Sequence, residues 1–135
     1  MDLTTGYLGL ELRNPIVASA GPFGRRLEGV RRLADAGVGA VVLASLFEEQ
    51  LERPSGVHAA HREDAHVPPG GQRQSPASYL ELISKCVAAV DVPVIASLNG
   101  CTTGGWTDYA SAMEQAGAAA VELNLYFPQA AVSTP

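Results

Sequence analysis

The sequence predicts an α/β fold built on a parallel sheet, and two recurrences carry that expectation. PIVAS at residues 15–19 returns as PVIAS at 93–97, and AGVGAVVLASLF from Ala36 to Phe47 returns as AGAAAVELNLYF from Ala116 to Phe127. A strand, a helix and a second strand therefore occur twice in one order, about 80 residues apart. Self-similarity at a fixed period marks an architecture made by repetition, and apolar strands alternating with helices indicate parallel strands covered by helices.

Tyr7, Leu8, Leu10 and Leu12 around Gly9 predict a small hairpin that ends at Asn14-Pro15. Ile16 to Ala20, bounded by Pro15 and Gly21-Pro22, is the first buried strand. Leu27, Val30, Leu33 and Ala34 recur at helical spacing, and Gly37 supplies the C-terminal cap. Ala40 to Leu43 forms the second strand, whose far end delivers Ala44, Ser45 and Leu46. Charged residues, three prolines and Gly70-Gly71 then make residues 48–74 a flexible loop, of a length that usually carries function. Ser75 followed by Pro76 is a strong helix start, with a buried stripe of Tyr79, Leu82, Ile83, Cys86, Val87 and Val90. Val92 to Leu98 is the third strand, closed by Asn99-Gly100. A helix over 107–116 turns Tyr109, Met113 and Ala116 inward, Gly117 caps it, and Ala119 to Asn124 is the fourth strand. Residues 128–135 show no period and are expected to form an unstructured tail.

A chain of 135 residues that is 47% apolar suits a globular domain. Its net charge of −5, with no massed Lys and Arg, excludes a general nucleic-acid partner. Glu11 and Arg13 interrupt the first apolar stretch, so no signal peptide is read, and no apolar run is long enough for a membrane span. The expectation is a soluble, cytoplasmic protein. Cys86 and Cys101 give neither a disulfide framework nor a metal-ligand spacing. Their expected roles are a packed core thiol and an inert loop thiol. His58, His61 and His66, near Glu63 and Asp64, match no standard metal site and are read as solvated loop residues.

Parallel α/β folds gather ligands at the carboxyl ends of their strands. Here those ends are Ser19-Ala20-Gly21, Ala44-Ser45, Ser97 to Gly100 and Asn124 to Tyr126. Two of them present asparagine, whose amide donates and accepts, and others present small residues that admit a flat ligand. The pattern suits a neutral heterocycle. Glu122 points opposite to Val121 and Leu123, either into a barrel interior or toward helices; a paired or partly wet carboxylate is favoured over a site role.

VELNLYFP at Val121 to Pro128, NPIVASAG at Asn14 to Gly21 and DVPVIASLNG at Asp91 to Gly100 together resemble the dihydroorotate dehydrogenase family, and LGLELRNP at Leu8 to Pro15 resembles its N-terminal hairpin. The resemblance implies an α/β fold that is the N-terminal half of a (β/α)8 TIM barrel, about four parallel strands after a β-hairpin. It implies FMN across the barrel mouth, hydride transfer from a dihydropyrimidine-like substrate, and a place in pyrimidine metabolism. Carried over, the cofactor-binding positions are Ala20, Gly21, Ser45, Asn99 and Asn124. The family's lysine at the end of the second strand is replaced by Ala44, and the only lysine in the chain is Lys85. Phe127 stands where the family has its proton-abstracting cysteine or serine, and phenylalanine cannot take a proton. That leaves the catalytic residue unknown, with Tyr126 a weak candidate.

A complete barrel takes about 250 residues, so residues 1–127 are read as a partial FMN-type barrel, without the half whose loops hold the FMN phosphate. The favoured account is a truncated, inactive fragment of a longer flavin-dependent enzyme. The alternatives are a half-barrel that pairs with itself or with a second half, and a non-catalytic binding module. The expected partner in every enzymatic account is a small molecule.

Overall fold

The computed structural model describes residues 1–47, 75–100 and 106–125. The expected loop over 48–74, the tail over 128–135, Cys101, the three histidines, Tyr126 and Phe127 lie outside the described residues. The chain opens with an antiparallel hairpin of β1 (Thr5–Tyr7) and β2 (Leu10–Leu12). Its turn residues Leu8 and Gly9 have φ of 53° and 75°, and two positive φ values in a two-residue loop give a type I′ turn, whose twist matches that of the strands.

There follow β3 (Val17–Ala18), a 3-10 turn (Pro22–Arg25), α1 (Leu27–Asp35), β4 (Ala40–Val42), β5 (Leu46–Phe47), α2 (Pro76–Ala89), β6 (Val94–Gly100), α3 (Trp106–Gln115) and β7 (Ala120–Leu125). The Ser75 hydroxyl caps α2 by accepting from the Ser78 amide at 3.2 Å, as its position before Pro76 predicts. The two repeats end their helices alike, on Gly37 and Gly117 with φ of 95° and 102°. At the second, the Gly117 amide reaches Glu114 O at 2.9 Å and the Ala118 amide reaches Met113 O at 3.1 Å, the paired bonds of a Schellman cap.

The strands β3, β4, β6 and β7 lie side by side in chain order and all run parallel. No reversal of order interrupts them, and α1 packs on α2 and α2 on α3. That is the arrangement of consecutive units of a (β/α)8 barrel and not of a doubly wound sheet. Strand alternation gives the sheet two faces. Val41, Leu43, Val94, Ala96 and Leu98 face the helices, where they pack with Val30, Ala34, Tyr79, Leu82, Ile83, Cys86 and Met113. Each fully buried Val, Leu, Ile or Met side chain among them stabilises the fold by roughly 1.5–3 kcal/mol. On the opposite, inner face Ala40, Val42 and Ile95 pack against Leu12, so the hairpin covers the N-terminal part of that face. Arg13 secures it there, donating to Ala34 O at 2.7 Å and Val38 O at 2.8 Å.

Three details differ from expectation. Ile16 is exposed and Val87 lies at the edge of the α2 stripe, also exposed. The second strand does not stop at Leu43. It resumes as β5, and both segments pair with one edge of β6, because β7 takes the other. Val42 lies opposite Ile95 and Leu46 opposite Leu98, so one strand advances a residue more than its neighbour. Leu43 to Ser45 therefore form a β-bulge, a device that interrupts pairing and is common beside active sites.

Candidate functional site at the carboxyl ends of the strands

The bulge has a direct consequence for β6. The amide of Ser97 faces the interrupted stretch, and the hydroxyl of Tyr79, entering from α2, accepts from it at 2.9 Å and donates to Ser97 O at 3.2 Å. A buried amide without a partner would cost about 1–3 kcal/mol, so Tyr79 replaces what the bulge removes. Burial pushes the Tyr79 phenol up to about 12, and the nearby charge of Glu122 adds to this while the bond to Ser97 opposes it.

With its backbone held from the helix side, Ser97 turns its side chain to the inner face. There the parallel register places Ser97 beside Glu122 and Asn99 beside Asn124. Ser97 Oγ donates to Glu122 Oε1 at 2.8 Å and lies 2.8 Å from Ser45 Oγ. A hydroxyl has one hydrogen to give, so Ser45 is the donor to Ser97. Asn124 Nδ2, whose two hydrogens are shared among three acceptors, lies 2.9 Å from Asn99 Oδ1, 3.1 Å from Glu122 Oε1 and 3.3 Å from Ser97 Oγ. The result is one polar cluster on three strands, lying above the apolar layer of Leu12, Val42 and Ile95. Ser97 is fully buried, Ser45, Asn99 and Glu122 are half-buried, and Asn124 is exposed at the open end.

Of the positions singled out in the sequence, Ser45, Asn99 and Asn124 come together here. Ala20 packs into the inner apolar layer, and Gly21 adopts extended backbone (φ −170°) before the 3-10 turn; no hydrogen bond ties either to the cluster among the described residues. Glu122, for which a site role is the less favoured reading, joins the cluster through Ser97 and Asn124. Ser97 is named in the sequence only as part of a strand end, although the alternation of Ile95, Ser97 and Asn99 already assigns it to the same face as Asn99. Gly24 escapes sequence reading altogether: a Cβ there would lie 2.7 Å from the Ala44 amide nitrogen, so only glycine lets the 3-10 turn rest on the bulge. Among the described residues no group of acidic, histidine or cysteine side chains could hold a metal ion, and no helix is long and apolar enough to cross a membrane.

No protein-family model matches the chain. Two curated proteins do: one from Aeropyrum pernix, assigned as dihydroorotate dehydrogenase A (fumarate), is 29% identical over 133 residues, and dihydroorotate dehydrogenase B (NAD(+)), catalytic subunit, from Methanocella arvoryzae is 30% identical over 130. The alignments take in 94% and 96% of this chain but 42% of each relative, so the chain spans somewhat under half their length. The resemblance read from the strand-end segments and the half-barrel fold are both borne out.

Proposed function

We propose that this chain, a relative of dihydroorotate dehydrogenases over nearly all of its length, supplies the first half of the mouth of an FMN-dependent oxidoreductase that oxidises a dihydropyrimidine-like ring. The observation that carries the proposal is the cluster of Ser45, Ser97, Asn99, Glu122 and Asn124 on the inner face at the strand ends, where parallel α/β sheets bind ligands. The residues fit a flavin's ring system: amides and hydroxyls line the face beside the Glu122 carboxylate, and a Cβ at Gly21 would meet only Ser19 O, at 3.7 Å, leaving the backbone open to a flat ligand.

When bound, FMN supplies the hydride acceptor. The chain's own part is to orient the ring system through Asn99 and Asn124, to let it approach at Ala20 and Gly21, and to close the inner end with the apolar layer. The proton acceptor is unassigned, since Phe127 and Tyr126 follow Asn124 where the family has its base. In the family the phosphate-holding loops belong to the second half, so turnover is assigned to a protein containing both halves, and this chain alone is read as inactive. The test is visible absorbance after purification and incubation with FMN: the chain is expected to hold flavin and Asn124→Leu to lose it. A chain that stays colourless sinks the proposal.

A second reading, a half-barrel that pairs with itself or a separate second half, draws on the outer strands. Among the described residues β3 pairs only with β4 and β7 only with β6, and Ile16 and Leu125 at these strands are 63% and 66% exposed. Sedimentation giving a monomer at all concentrations would remove the self-pairing form.

A further inference from the structure

Resting on the proposal that a ring binds at this mouth, we infer that the site selects a neutral ring bearing a lactam N–H over the same ring bearing a carboxylate, with Glu122 setting the preference.

Charge comes first. Glu122 presents its carboxylate to the inner face, held by Ser97 Oγ at 2.8 Å and Asn124 Nδ2 at 3.1 Å, and it has no ion-pair partner among the described residues. Arg13 is engaged with Asp91 and Lys85 with Glu81. Ala44 at the bulge is buried and brings no charge. A second carboxylate on this face would meet an uncompensated like charge, and such juxtapositions reject the wrong partner.

Amide polarity points the same way. Among the described residues the acceptors around Asn124 Nδ2 all lie in the cluster, namely Asn99 Oδ1, Glu122 Oε1 and Ser97 Oγ. The nitrogen is therefore drawn inward and Asn124 Oδ1 is left to face the open end, an acceptor that welcomes an N–H and repels a carboxylate. Asn99 spends its oxygen on Asn124, which leaves its own NH2 to donate. A donor beside an acceptor is the complement of a lactam edge, N–H next to C=O. Glu122 is a specificity-determining residue in two ways, by its charge and by fixing the amide of Asn124.

The experiment is a titration of the full-length, 15N-labelled chain, in the presence of FMN, with 5,6-dihydrouracil and separately with dihydroorotate, which differ by the carboxylate. The side-chain amide signals of Asn99 and Asn124 report binding, and flavin absorbance is read in the same samples. Dihydrouracil is expected to half-saturate these signals at a concentration lower by about tenfold or more. Glu122→Gln, which removes the charge and keeps an acceptor, is expected to narrow the preference to within about threefold. Equal or tighter binding of dihydroorotate by the unaltered chain overturns the inference, as does failure of dihydrouracil to move the amide signals. Flavin bound with the wrong ring preference overturns this inference alone, whereas a colourless sample removes the proposed function with it.

Discussion

The hydroxyl of Tyr79 and the backbone of Ser97 form a reciprocal pair: the oxygen accepts from Ser97 N at 2.9 Å and donates to Ser97 O at 3.2 Å. A core side chain from the helix layer thus fixes, through the sheet, the residue at the centre of the polar cluster. Tyr79→Phe keeps the ring and removes both bonds. It should lower stability by about 1–3 kcal/mol, because a buried amide loses its partner. Denaturant titration measures the loss, and faster exchange of the Ser97 amide would locate it. Unchanged exchange at Ser97 would contradict the assignment.

Stability at alkaline pH follows from the same group. Burial raises the folded phenol from 10.0 to about 12, so the folded state holds this proton where the unfolded chain has released it. The contribution is complete below pH 10 and disappears as pH rises toward 12, a loss on the order of 3 kcal/mol. Cys86, raised by burial to about 11 against the opposing charge of Arg31, adds a further loss starting near pH 9. Denaturant titrations from pH 8 to 12 should show the decline, and Tyr79→Phe should remove its upper part. An identical profile in the variant would argue against Tyr79 as the source.

Two glycines near the mouth should separate fold from ligand. Gly24→Ala drives a methyl into Ala44 N, Leu43 Cα and Val42 O at 2.7, 3.0 and 3.0 Å, all backbone that cannot swing aside. A loss of about 1–3 kcal/mol is expected. Gly21→Ala meets only Ser19 O at 3.7 Å and has extended backbone, so its melting temperature should be close to that of the parent. Weaker flavin retention in Gly21→Ala, with stability intact, would place the ligand against that backbone.

Removing either of two serine hydroxyls should have unequal effects. Ser97→Ala deprives Glu122 of a donor and Ser45 and Asn124 of an acceptor, whereas Ser45→Ala removes only the end of the chain of bonds. The first should cost about 1–3 kcal/mol and the second about 1 kcal/mol or less. Thermal melts of both variants decide this; equal losses would mean that Ser97 is not the hub.

Most of the frame was legible because it rests on local rules. Ser75-Pro76 started α2, Gly37 and Gly117 closed their helices, and the stripe from Tyr79 to Cys86 faced the core, each through chemistry within a few residues. The site was legible only in part. Asn99 and Asn124 could be placed at strand ends, but their pairing depends on the register of β6 against β7, which joins residues 25 apart. The inward direction of Glu122 needed the sheet's two faces to be told apart. The bulge was hidden for a similar reason, since Ala40 to Phe47 is apolar almost throughout and has no alternation to lose. The demand for glycine at 24 arises from a backbone contact between two elements, which no local pattern records.

The bulge over Leu43 to Ser45 also acts as a phase switch. If this same stretch ran on without the slip, strict alternation from Val42 would carry Ala44 and Leu46 to the inner face and send Ser45 toward the helices. The slip reverses that parity, so Leu46 returns to the helix-side core and the Ser45 hydroxyl joins the cluster. Deleting Ala44 would bring Val42 to Leu46 into one-to-one register with Ile95 to Leu98 and keep Ser45 opposite Ser97, so it would remove the bulge and leave the hydroxyl in the mouth. With Ala44 in place, the slip in the ladder decides whether this part of the chain is greasy or wet.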